Sequence, residues 1–60
     1  MKLPDDLLAA MDAHNEMASD MGDGAWWAML EDAVKIYNAE MSTDYDPFDS
    51  VHAWIESRGE

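Results

Sequence analysis

The stretch from Asp23 to Met41, DGAWWAMLEDAVKIYNAEM, constrains this chain most, because its apolar residues fall on two sides of one helix. At about 100° per residue, Trp27, Val34, Met41, Leu30, Tyr37, Trp26 and Ala33 share an arc of roughly 120°, in that order round the axis. Met29, Ile36 and Ala25 lie nearly opposite, with Ala28 and Ala39 nearby, and Glu31, Asp32, Lys35 and Asn38 fill the strip between. A helix that is apolar on both sides usually packs on both sides. The segment is therefore either the central helix of the fold or the carrier of an interface. Adjacent Trp26 and Trp27 diverge by about 100°, so one of them is expected at the edge of the core.

The segments on either side are simpler. From Leu3 to Met21 the residues Leu3, Leu7, Ala10, Met11, His14, Met17, Ala18 and Met21 share one face, and Asp5, Asp12, Glu16 and Asp20 the other. Pro4 suits the first position of a helix, and Asp5 and Asp6 suit the positive end of its dipole. Gly22 can take the left-handed conformation that closes a helix, and Asp23 can cap the next one. So short a turn makes the first two helices antiparallel neighbours. Glu31 and Lys35 stand one turn apart in the order that favours an ion pair.

After the polar link STDYD, Asp46 and Pro47 read as a cap followed by a helix-starting proline, with Asp49 in the first turn. Phe48, Val51, Trp54 and Ile55 form the apolar stripe of this third segment, which Gly59 terminates. Period-two alternation is absent. The pattern predicts an all-α protein, a small three-helix bundle with helices over 4–21, 24–41 and 47–58, in a single domain over 1–60. A helical homodimer is an open alternative, because a chain of this length buries only about 60% of its unfolded surface and has no cysteine to staple it.

Charge narrows the function classes. Fourteen Asp and Glu face three Lys and Arg, for a net charge of −11. Such a body repels nucleic acid and anionic lipid and attracts basic proteins. Direct nucleic-acid binding and membrane association are not expected. The first residues lack a signal-peptide pattern and no apolar run approaches ~18 residues, so a cytoplasmic protein is expected, in the host cytoplasm if a phage encodes it.

Sites for chemistry are few. His14 lies in the first apolar stripe, where a histidine with one hydrogen-bond partner is the ordinary outcome. Asp49, His52 and Glu56 share a helical face, a weak metal-ligand pattern in so acidic a chain, and simple electrostatic support of an exposed histidine explains it better. The run DYDPFD fails the calcium-loop pattern: counted from Asp44, the ligand position five is Phe48, the glycine position six is Asp49 and the glutamate position twelve is Ile55. No serine belongs to a nucleophilic constellation and no glycine-rich phosphate loop is present. No enzyme activity, metal or cofactor is expected.

The expectation is a protein-binding inhibitor. Its acidic surface, carrying Asp5, Asp12, Glu16, Asp20, Asp23, Asp32, Asp44, Asp46, Asp49 and Glu56, would occupy the basic nucleic-acid-binding site of a target protein. Trp26, Trp27, Met29 and Ile36 would supply apolar anchoring. The charge exceeds the magnitude of about 2–8 that keeps a small domain soluble. Small phage-encoded anti-defence proteins that mimic DNA act in this way, an analogy of size and charge. The alternative is a structural or regulatory homo-oligomer that pairs through Met29, Ile36 and Ala25.

Overall fold

A computed structural model of the chain describes residues 2–58, and Gly59, expected to terminate the third helix, lies outside them. Three helices follow one another, α1 (Asp5–Met17), α2 (Asp23–Met41) and α3 (Pro47–Arg58). No strand occurs among the described residues. The second and third helices start and end within one residue of expectation, and the chain is a small all-α three-helix bundle.

The first helix is shorter than its pattern. Pro4 has extended backbone (φ −61°, ψ 151°) and stands before α1 as its N-cap, so the helix begins at Asp5. At the other end, Ala18 N–H bonds the carbonyls of His14 and Asn15, and Met21 N–H bonds the Ala18 carbonyl. The last turn tightens there and the chain reverses over residues 18–21. Buried Ala18 closes the core, whereas Met17 and Met21 are 63% and 46% exposed and lie outside the core stripe expected for them. The helical period ends with α1 at Met17, so it no longer governs the direction of Met21.

The turn into α2 also differs in detail. Gly22 has φ −68° and ψ 165°, extended backbone and not the left-handed conformation expected. It is the N-cap of α2, and Asp23 is the first helical residue with no side-chain cap bond. The left-handed residue is Ser42 (φ 56°), at the C-cap of α2. The start of α3 follows expectation: Asp46 Oδ1 accepts from the N–H groups of Phe48 (2.9 Å) and Asp49 (3.4 Å), and Pro47 opens the helix.

Leu3, Leu7 and Met11 pack with Leu30, Ala33 and Val34 of α2 and Val51 and Trp54 of α3. Each large aliphatic side chain removed fully from water here contributes roughly 1.5–3 kcal/mol. α2 packs along both other helices, while α1 and α3 meet sparingly, so α2 is the central helix. It is central through one face only. Trp26, Trp27 and Tyr37 flank the core, but Met41 is 52% exposed. On the opposite side Ile36 is 49% exposed, with Ala25, Ala28 and Ala39 exposed and Met29 half-buried. The third helix does not cover that side. Phe48, expected in the α3 stripe, is 55% exposed.

Candidate protein-binding surface

Helix ends and turns place most of the carboxylates. Asp5 and Asp6 lie in the first turn of α1, Asp23 in that of α2 and Asp49 in that of α3. Glu16 is in the last turn of α1, Asp20 in the turn that follows, Asp32 in mid-α2, Asp44 and Asp46 in the α2–α3 link and Glu56 near the end of α3. All ten acidic residues predicted for the binding surface are exposed. The structure does not gather them into one stripe. Because α1 and α2 run antiparallel, Glu16, Asp20 and Asp23 cluster near one end of the bundle. Asp5 and Asp6 lie near the other, where Tyr37 of α2 donates to Asp6 at 3.0 Å and stacks near Tyr45 of the link.

Some acidic groups belong to the fold itself. Asp12 Oδ1 accepts from the Trp54 indole N–H at 2.9 Å and from Arg58 Nη1 at 3.2 Å, tying α1 to α3. The Arg58 guanidinium also stacks on the Trp54 ring, 4.6 Å from its centroid. Asp46 is a helix cap. Glu31 accepts from the Trp27 indole N–H at 2.9 Å, and the ion pair expected between Glu31 and Lys35 does not form. Desolvation, then the hydrogen bond and charge of Asp6, raise the Tyr37 hydroxyl above the ordinary tyrosine range. By contrast Asp5, Glu16, Asp20, Asp23, Asp32, Glu40, Asp44, Asp49 and Glu56 accept no side-chain hydrogen bond and join no ion pair among the described residues.

The predicted apolar anchors separate into three places. Trp26 and Trp27 are both half-buried, so both stand at the core edge, and Trp54 is the tryptophan at the centre. Trp26 donates to Asn15 Oδ1 at 2.6 Å and packs against Trp54 with its ring tilted, centroids 6.2 Å apart. These two indoles, Asn15, Ile55 and Arg58 line a shallow cleft of about 340 Å³. Trp27 instead packs against Phe48 and His52 of α3, at 5.6 and 5.2 Å between centroids. Met29 and Ile36 belong to the outer face of α2, away from both aromatic groups.

Phe48 and His52 are the surface residues that sequence reasoning missed. Phe48 was expected in the core stripe, and His52 as an exposed histidine supported by the charges of Asp49 and Glu56, so its exposure agrees and its aromatic packing is what the sequence did not show. Among the described residues no three His, Cys, Asp or Glu side chains are placed to hold a metal ion, and His52 packs on aromatic rings. The signal for the patch was the four-residue spacing of Phe48 and His52 beside an edge tryptophan on a neighbouring helix. His14 meets its expectation: half-buried, its Nδ1 donates to the Ala10 carbonyl at 3.1 Å. No helix of the described residues is long and apolar enough to cross a membrane. Compared with protein-family models, curated protein sequences and solved structures, the chain gives no significant match to any of them.

Proposed function

We propose that the protein is a non-enzymatic inhibitor that binds the basic nucleic-acid-binding site of a target protein and excludes the nucleic acid. One observation carries the reading. Most carboxylates accept no side-chain hydrogen bond and join no ion pair, while the described residues hold a single ion pair, Arg58–Asp12. Charge left unneutralised at this density destabilises the compact state by self-repulsion. A basic groove relieves that repulsion and gains the attraction that a nucleic-acid backbone would otherwise supply. Action inside a host cell against a defence nuclease, in the manner of a phage-encoded DNA mimic, is the form of this reading that suits so small and acidic a chain.

The test starts with the protein as bait in a cell extract, followed by competition on the captured partner. Nucleic acid and this protein should exclude one another, and the complex should weaken steeply between about 50 and 200 mM salt. A ternary complex, or an affinity indifferent to salt, overturns the proposal.

A second reading is favoured by the outer face of α2. Ile36 is half-exposed among exposed Ala25, Ala28 and Ala39, a surface suited to pairing with a second copy of the chain.

A further inference from the structure

The protein contains one complete arrangement of indole, carboxylate and guanidinium, and a second that lacks its cation. In the complete one, Trp54 donates its indole N–H to Asp12 Oδ1 at 2.9 Å, and Arg58 donates to the same oxygen at 3.2 Å while lying 4.6 Å from the Trp54 ring centroid. The carboxylate orients both donors, and the ring face receives the flat cation. In the second, Trp27 donates its indole N–H to Glu31 Oε2, again at 2.9 Å. Around Trp27 the aromatic surface is larger. Phe48 and His52 pack against it and against each other, with 4.7 Å between their centroids, and Phe48 is 55% exposed.

No lysine or arginine of the described residues completes this second arrangement, and His52, which packs on Trp27 and Phe48, makes no hydrogen bond or ion pair with Glu31. Lys35, one turn beyond Glu31, makes no ion pair with it, and Arg58 is engaged by Asp12. Unpaired Asp49 follows Phe48 directly and adds negative charge on the α3 side.

From this juxtaposition we infer that the Trp27–Glu31–Phe48 patch is a docking site for an arginine side chain of a basic protein partner. The guanidinium hydrogen-bonds Glu31 as Arg58 does Asp12, and lies against the exposed ring of Phe48 beside Trp27, whereas Arg58 lies on the same indole that bonds Asp12. Arginine is selected over lysine because a planar guanidinium both stacks on a ring and donates along two edges, whereas an ammonium is a compact, strongly hydrated charge. The inference rests on the proposed preference for basic partners and adds where on the surface, and by which side chain, the contact is anchored.

Octa-arginine and octa-lysine peptides, carrying equal charge, are the probes, with binding followed by fluorescence anisotropy at low salt. The arginine peptide should bind roughly threefold to tenfold more tightly, the range of a partly exposed cation–aromatic contact. Glu31→Gln keeps an oxygen to accept the Trp27 N–H and removes the charge, so the fold is retained while most of the arginine preference is lost. Phe48→Ala should lose it as well. Asp32→Asn removes one charge from the same helix away from the patch, so it should weaken both peptides equally and keep the preference. Equal binding of the two peptides, or equal effects of E31Q and D32N, overturns the arginine site and leaves the basic-partner reading standing. Failure of both peptides to bind overturns both.

Discussion

Ser50 sits on the buried side of α3, fully removed from solvent, and its hydroxyl oxygen has no hydrogen-bond partner. A hydroxyl buried without a partner costs roughly 1–3 kcal/mol relative to one that is bonded. Its neighbours are treated differently, because every tryptophan indole N–H in the bundle reaches a side-chain oxygen, on Asn15, Glu31 or Asp12. Ser50→Ala removes the orphaned oxygen and leaves a void smaller than a methyl group. The variant should therefore be more stable by roughly 1 kcal/mol, raising the thermal midpoint by about 4–8 °C for a domain of this size. Circular dichroism melts check this, and a midpoint lowered by a similar amount would show that the hydroxyl is bonded in solution.

Between α2 and α3 the path of the chain depends on Asn38, in the last turn of α2. Its Oδ1 accepts from Thr43 Oγ1 at 2.8 Å and from Tyr45 N–H at 3.1 Å, and its Nδ2 donates to the Tyr45 carbonyl at 2.9 Å. Its own carbonyl accepts from Thr43 N–H. One side chain thus ties down a link that contains no regular structure, and fixes where Asp46 begins α3. Asn38→Ala leaves both polar groups of the Tyr45 backbone without this partner and should cost roughly 2–3 kcal/mol in denaturant unfolding. Ser42→Gly relieves the left-handed backbone beside it and should stabilise by up to about 1 kcal/mol. An unchanged midpoint in N38A would mean the link is held by other contacts. The existence of α2 and α3 was legible in sequence because their apolar periodicity and the Asp46–Pro47 start signal are local. Asn38 read only as a polar residue between two apolar stripes, since its partners lie beyond the helix end, where the periodicity stops. The same limit explains Met21: the 3.6-residue pattern ran on past the physical end of α1 at Met17. Of the candidate surface, the exposure of the acidic side chains was legible, but the Trp54–Asp12 bond spans α1 and α3 and no local spacing announces it. Glu31 was matched with Lys35 by spacing, yet the Trp27 indole, one turn away on the other side, holds it.

At the scale of the molecule, the acidic surface and the outer face of α2 make opposite demands on salt. Two copies paired antiparallel along α2 about Asp32 would set Ala25 against Ala39, Ala28 against Ile36 and Met29 against the stem of Lys35, a self-complementary match that is apolar apart from Lys35 and Asp32. At about 100° per residue Asp32 falls between Ala39 and Ala25, on the outer face and not in the strip beside Glu31 where it was expected. The same axis therefore sets Asp32 against its own copy and brings together two bodies of charge −11. Screening shortens the reach of that repulsion from about 30 Å at 0.01 M to about 8 Å at 0.15 M salt, so self-association should strengthen as salt rises. Attraction to a basic partner should weaken over the same range. Sedimentation at low micromolar concentration across a salt series therefore separates the two readings by sign. For the inhibitor reading, the chain should sediment as a 6.8 kDa monomer at low salt, and Ile36→Lys should not alter this. For the homodimer reading, a dimer should grow in with salt, be abolished by I36K and be strengthened by Asp32→Asn, which removes the charge at the axis. A monomer at every salt concentration would sink the homodimer. A dimer already complete at low salt, and insensitive to I36K, would show that neither the outer face of α2 nor its charge governs association, because the contact would have to lie on a surface where both are absent.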